Sequence, residues 1–127
     1  MLHQRVRGPA RILVAEDNYL FAEVVCDFLR DSDLVPVGPA ATAAAALKLA
    51  ASAELDGAVL DVNLGGRLNT SVCERLRARA VPYLFLTAYS DLSRLPAPLR
   101  SVPIICKPFD PEEFRRALAG LLMRAAA

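Results

Sequence analysis

The sequence predicts an α/β domain, a doubly wound parallel sheet of five strands with helices on both faces. Three observations lead there. Short apolar runs alternate with longer stretches of helical periodicity along the whole chain. The runs are apolar throughout, as in strands buried on both faces, and not at every second residue. The chain of 127 residues, 54% of them hydrophobic, fits one domain with enough core to be stable without metals or disulfides.

The elements follow in order. Residues 1–10 are polar, contain Gly8-Pro9 and are expected to form a flexible N-terminal tail. "RILVA", residues 11–15, is the first strand, and it stops at Glu16-Asp17-Asn18, which suits a turn into a helix. From Tyr19 to Arg30, Leu20, Val24, Val25, Phe28 and Leu29 fall at helical spacing, and Asp31-Ser32-Asp33 ends the helix. "LVPVG", residues 34–38, is the second strand, placed at a sheet edge by Pro36. Thr42 caps an alanine-rich helix over 43–53, and "GAVLDV", residues 57–62, is the third strand.

A loop follows Gly65-Gly66, and Ser71 with Glu74 predicts a capping box for a helix reaching Arg79. "VPYLFLT", residues 81–87, and "VPIIC", residues 102–106, are the fourth and fifth strands. Between them, Pro96 and Pro98 cannot both sit inside a regular helix, so that connection is expected to be short, distorted or mostly loop. Asp110-Pro111-Glu112-Glu113 combines a cap, a proline at the first helical position and an early acid. Phe114, Leu118, Leu121 and Leu122 then give the last helix its apolar stripe.

A formal charge of +1 provides no electrostatic footprint for nucleic acid. No stretch reaches the roughly 18 uninterrupted apolar residues of a membrane span. The opening "MLHQRVRGPARILVAED" has no apolar core ahead of its charges, so no secretion signal is expected and the cytoplasm is the expected compartment. Cys26, Cys73 and Cys106 are scattered and odd in number, without metal-ligand spacing, and are expected to act as small buried hydrophobes.

In an open parallel sheet, chemistry gathers at the carboxyl ends of the strands. Glu16 and Asp17 lie at the end of the first strand, Asp61 at the third, Thr87 at the fourth and Lys107 at the fifth. Each alone has an ordinary explanation: a helix cap, a turn former beside two glycines, a strand residue, a solvated amine. Five such residues at one edge call for a common one. Two carboxylates about 4 Å apart repel by roughly 1 kcal/mol in water and about 4 at an effective dielectric of 20. Lys107 supplies one offsetting charge, and Mg²⁺, a cation suited to oxygen ligands and water, supplies two more. A carboxylate beside a metal, a hydroxyl and an ammonium is equipped to receive a phosphoryl group by positioning and electrostatics.

On these residues the sequence resembles the receiver domain of two-component response regulators, from about Arg11 to Met123. The motifs are the acidic pair Glu16-Asp17, Asp61 in "LDVNLGG", Thr87 in "FLTAY" and Lys107-Pro108-Phe109 in "CKPF". The resemblance implies a flavodoxin-like sheet of order 2-1-3-4-5, with a receiver domain over 11–123 and a C-terminal tail over 124–127. It implies that Asp61 accepts a phosphoryl group from a histidine kinase or phosphotransfer protein. Mg²⁺ would be held by Asp17, Asp61 and the backbone carbonyl of Asn63, with Glu16 acting through water. Lys107 would pair with a phosphoryl oxygen, its bond to Pro108 would be cis, and Thr87 would swing toward the phosphoryl group. The domain would be a signalling module, not an enzyme beyond its own phosphoryl transfer and dephosphorylation.

One departure stands out. Most receivers carry a switch aromatic three residues before the lysine, where this sequence has Ile104. Phe85 and Tyr89 flank Thr87 instead, and "FLTAY" is similar to the Phe-Ala-Thr-Gly-Tyr signature of a smaller group of single-domain receivers, with Ala88 in place of the glycine. Tyr89 is then either a switch or a half-buried packing aromatic. With only "RAAA" after the last helix, output is expected through protein–protein contact around residues 87–106 and the last helix. Two other readings stand beside this one: a pseudo-receiver that binds without taking phosphate, and a small aspartyl-phosphate hydrolase. The latter class carries a second acid two residues after its nucleophile, where this chain has Asn63.

Overall fold

The structure is a computed structural model that describes residues 8–126. The expected tail over residues 1–10 lies outside the described residues as far as residue 7. The elements run β1 (Arg11–Ala15), α1 (Tyr19–Asp31), β2 (Val35–Ala40), α2 (Ala43–Ser52), β3 (Gly57–Leu60), β4 (Asn63–Leu64), β5 (Arg67–Leu68), α3 (Thr70–Ala78), β6 (Tyr83–Ala88), β7 (Ile104–Lys107) and α4 (Pro111–Ala126). Two 3₁₀ segments, Tyr89–Arg94 and Ala97–Ser101, join β6 to β7.

The main sheet has the order β2-β1-β3-β6-β7, and every pair in it is parallel. Counting main-sheet strands alone, this is the 2-1-3-4-5 order the resemblance implies. The edge position expected from Pro36 holds, since β2 pairs with β1 alone. Pro82 and Pro103 stand just ahead of β6 and β7 and contribute carbonyls: Pro82 O accepts from Ala58 N at 3.1 Å and Pro103 O from Phe85 N at 2.9 Å. A proline has no N–H to give, so it starts these strands without a wasted donor.

The strands are apolar throughout because successive side chains serve two different cores. Ile12, Val14, Val59, Leu84, Leu86 and Ile105 face α1 and α4, where Val25, Leu29, Phe114, Leu118 and Leu121 meet them. Leu13, Ala15, Ala58, Leu60, Tyr83 and Phe85 face the other layer, against Ala46, Ala50, Val72 and Leu76 of α2 and α3. Gly57 lets α4 come close, because a Cβ there would lie 2.8 Å from Leu121 Cδ2.

Several boundaries differ from the sequence expectation. β2 begins at Val35 and runs to Ala40, because its hydrogen bonding continues past Gly38-Pro39 to the Ala15–Ala40 pair. β3 ends at Leu60, leaving Asp61 just beyond the strand. β6 starts at Tyr83 and reaches Ala88, and β7 spans Ile104–Lys107, so Lys107 is the last strand residue. α3 starts at Thr70 with Asn69 at its N-cap, not at Ser71, because Asn69 O accepts Val72 N and Cys73 N. The last helix continues through the expected C-terminal tail to Ala126. Cys26 and Cys73 are buried as expected, whereas Cys106 near the carboxyl edge is only half-buried. The double-proline connection is the pair of 3₁₀ segments, anchored inward by Leu95 and Leu99. No helix among the described residues is long and apolar enough to cross a membrane.

Candidate functional site

The parallel register brings the expected residues to one edge. Asp61 N donates to Ala15 O at 3.0 Å, which sets the acid of β3 beside the end of β1. Thr87 pairs with Cys106 and Ala88 with Lys107 across β6 and β7. Carboxylate oxygens of Glu16, Asp17 and Asp61 lie within 4.8 Å of one another.

Asp61 is held on all sides. Its Oδ1 accepts the Thr87 hydroxyl at 2.7 Å and the Asn63 N–H at 3.2 Å, and its Oδ2 accepts Lys107 Nζ at 2.9 Å. Lys107 Nζ also lies 2.6 Å from Glu16 Oε1, while Glu16 Oε2 accepts the Asn18 N–H at 2.9 Å. Asp17 Oδ2 accepts the Gly65 N–H at 2.9 Å. Glu16, Asp61 and Thr87 are buried, whereas Asp17 faces solvent.

The electrostatics follow from this crowding. Burial pushes the Glu16 carboxyl above its usual range, an effect larger than the lowering by its bonds to Lys107 and Asn18. Burial alone would lower the Lys107 ammonium, but its hydrogen bonds to Glu16 and Asp61 outweigh that and raise it. One ammonium thus serves two buried carboxylates, and the third acid, Asp17, has no cationic partner among the described residues.

The donor set fits a small divalent cation. Oxygens on opposite sides of Mg²⁺ are about 4.2 Å apart, given metal–oxygen distances of about 2.1 Å. Three acids within 4.8 Å need little adjustment to share such an ion, and exposed Asp17 leaves room for water ligands. The Lys107–Pro108 bond is cis.

The residues named as switch positions separate. Thr87 is fully buried on Asp61. Phe85 is fully buried, edge-on to Tyr83 with ring centroids 5.8 Å apart, and sits opposite half-buried Ile104 across the β6–β7 pair. Tyr89 stands at the start of the first 3₁₀ segment, 77% exposed, so it is not a half-buried packing residue.

Three contacts that shape the site were not legible beforehand. Asn69 is buried, and its Nδ2 donates to Asp61 O at 2.5 Å while Cys73 Sγ lies 3.8 Å from its Oδ1. The better match of Ser71 and Glu74 to a capping pattern hid it. Gly65 and Gly66 adopt left-handed backbone, φ +64° and +81°, and turn β4 back on β5, presenting the Gly65 N–H to Asp17. Phe21 of α1 places its ring centroid 4.6 Å from Lys107 Nζ. Asn63 Oδ1 is buried without a hydrogen-bond partner among the described residues.

Comparisons with known proteins bear on the fold and the family. The solution structure of SdrG from Sphingomonas melonis Fr1 is 41% identical, covering 90% of this chain and 97% of that chain with a TM-score of 0.80. The BeF3-activated conformation of SdrG from Pseudomonas melonis Fr1 is 40% identical, covering 91% of this chain and 98% of that chain with a TM-score of 0.75. The receiver domain of the sensor histidine kinase PA1611 from Pseudomonas aeruginosa PAO1, described with a magnesium ion in its active-site cleft, shares the fold at 24% identity. It covers 91% of this chain and 99% of that chain, with a TM-score of 0.75. No curated protein matches the chain. The response regulator receiver domain pattern matches residues 12–119, most of the length, and the chain belongs to that family.

Proposed function

We propose that this receiver takes a phosphoryl group on Asp61 from a histidine kinase or histidine phosphotransfer protein, with Mg²⁺ bound, and signals through protein–protein contact. The observation that carries the reading is the Asp61 carboxylate, buried and held between Thr87 Oγ1 at 2.7 Å and Lys107 Nζ at 2.9 Å, inside a group of three acids. Nothing in a folding role requires so costly an arrangement.

In the transfer, an Asp61 oxygen forms a bond to phosphorus as the phosphorus–nitrogen bond of the donor's phosphohistidine breaks. The backbone fixes the nucleophile: Asp61 N is tied to Ala15 O, and its own carbonyl accepts from Asn69. Lys107, already beside Oδ2, pairs with a phosphoryl oxygen as that oxygen arrives. Thr87 releases Oδ1 and follows the new phosphoryl oxygens, carrying the start of the 3₁₀ connection with it. Glu16, Asp17, Asp61 and the Asn63 carbonyl would hold the cation, which neutralises charge on the phosphoryl oxygens when bound. Support comes from the oxygen-only donor set, from the magnesium described in the PA1611 receiver, and from the BeF3-activated form of the 40% identical relative.

The test is labelling with a phosphorylated kinase or a small phosphoryl donor plus Mg²⁺. The expected product is acid-stable and hydroxylamine-sensitive, and Asp61→Asn abolishes it. Absence of label on the wild-type chain would favour a binding module that takes no phosphate, and persistent label on the variant would mean another acceptor. Steady turnover of a phosphate monoester would favour a hydrolase.

A further inference from the structure

The ammonium of Lys107 has three donors, and two are accounted for by Glu16 Oε1 at 2.6 Å and Asp61 Oδ2 at 2.9 Å. The ring of Phe21 lies on the same ammonium, its centroid 4.6 Å from Nζ, well inside the roughly 6 Å over which a ring face attracts a cation.

Phe21 is not free to drift. Its N–H donates to Asn18 Oδ1 at 3.0 Å in the first turn of α1. Its ring meets Phe109 edge-on at 6.0 Å. Phe109 in turn packs on Phe28 at 5.4 Å and on Phe114 at 4.8 Å, and Phe114 is fully buried in the core. A row of rings therefore runs from the core to the site and ends against the lysine. Lysine carries about 2 kcal/mol of rotamer freedom, so an amine that must meet an incoming anion benefits from a wall.

We propose that Phe21 is a positioning residue for Lys107: the face of its ring holds the ammonium beside Asp61 and keeps it from swinging into solvent. The inference rests on the reading of Lys107 as the partner of the phosphoryl oxygens. It adds a residue from within α1 to a site otherwise built at the strand ends and the turns and caps that follow them.

The test replaces Phe21 with 4-fluoro-, 3,5-difluoro- and 3,4,5-trifluorophenylalanine by site-specific incorporation. The series keeps the ring shape nearly constant while draining negative charge from its face. Two quantities are read: the NMR order parameter of the Lys107 side chain without any phosphoryl donor, and the rate of labelling by acetyl phosphate at saturating Mg²⁺. Both should fall stepwise with fluorine number, the rate by about 2- to 5-fold across the series. Phe21→Leu should resemble the trifluoro variant, with an unchanged far-UV spectrum. A flat order parameter across the series overturns the proposal, as does a flat rate in a chain that is labelled. If the wild-type chain takes no label, the proposed function fails on its own, and the order-parameter series alone decides whether the ring holds the amine.

Discussion

Asp17→Asn should make the protein more stable in the absence of divalent cation. The substitution keeps an oxygen to accept the Gly65 N–H and nearly the same shape, and removes one negative charge. That charge lies within 4.8 Å of an oxygen of Glu16 and of one of Asp61. At 4.8 Å, each repulsion is about 0.9 kcal/mol in water and about 3.5 at an effective dielectric of 20. Asp17 is exposed, so the water end of that range applies, and about 8 Å of screening length at physiological salt halves it again. Lys107, paired with both of those carboxylates, offsets about half of their field, so the loss of charge should raise stability by about 0.5–1 kcal/mol, more at low salt than at high salt. Mg²⁺ should reverse the order, since a cation at 100 times its dissociation constant adds about 2.7 kcal/mol to a chain that binds it. Urea melts followed by far-UV circular dichroism, with EDTA or with 10 mM MgCl₂ (roughly the scale on which mass action saturates a weak site), measure both differences. A variant less stable than the wild-type chain in EDTA, or one that gains equally from Mg²⁺, would refute the reasoning.

The remaining expectations concern the same layer of groups. Burial pushes the Cys73 thiol from an ordinary 9.0 up to about 11, so the folded chain keeps a proton that the unfolded chain loses. Stability should therefore fall between pH 8 and 11 by an extra amount of about 2 kcal/mol, and the extra slope should vanish in Cys73→Ala when melts at those two pH values are compared. Asn69→Ala removes the donor to Asp61 O and should cost about 1–3 kcal/mol in a urea melt while weakening Mg²⁺ binding by calorimetry. Lys107→Ala leaves Glu16 and Asp61 without their shared cation and should cost about 3 kcal/mol without divalent ion. It should remain folded by circular dichroism, and BeF₃⁻ with Mg²⁺ should no longer move the NMR signals of Thr87 and Tyr89; an unchanged response would contradict the role given to the amine.

The parts legible in the sequence were those written in local pattern. Apolar runs of five to seven residues located every main strand, because a residue buried on either face of a sheet has to be apolar. Thr42 and Asp110 announced their helices, and both side chains do accept first-turn N–H groups, from Ala45 and Glu113. Strand ends named the acids, the threonine and the lysine, since parallel strands bring all their carboxyl ends to one edge. What stayed hidden depends on contacts across the chain. Asn69 looks like any polar loop residue until its partner Asp61, eight residues away, is in place. Phe21 looks like one more helical hydrophobe until Lys107, from the far end of the sequence, arrives under its ring. Helix and strand ends also shifted by a few residues, because backbone pairing such as Ala15 with Ala40 outlasts the apolar run that predicts it.

The two 3₁₀ segments between β6 and β7 stand where the other crossovers have regular helices. Bonds between residues three apart are poorly aligned, and Leu95 and Leu99 are the buried anchors of the stretch. Amide protons over 89–101 should therefore exchange with deuterium well ahead of those in α1 or α4, through openings that leave the rest of the protein intact. If those openings are found, a partner meeting that side of the molecule would need only a modest binding preference to choose among open and closed forms.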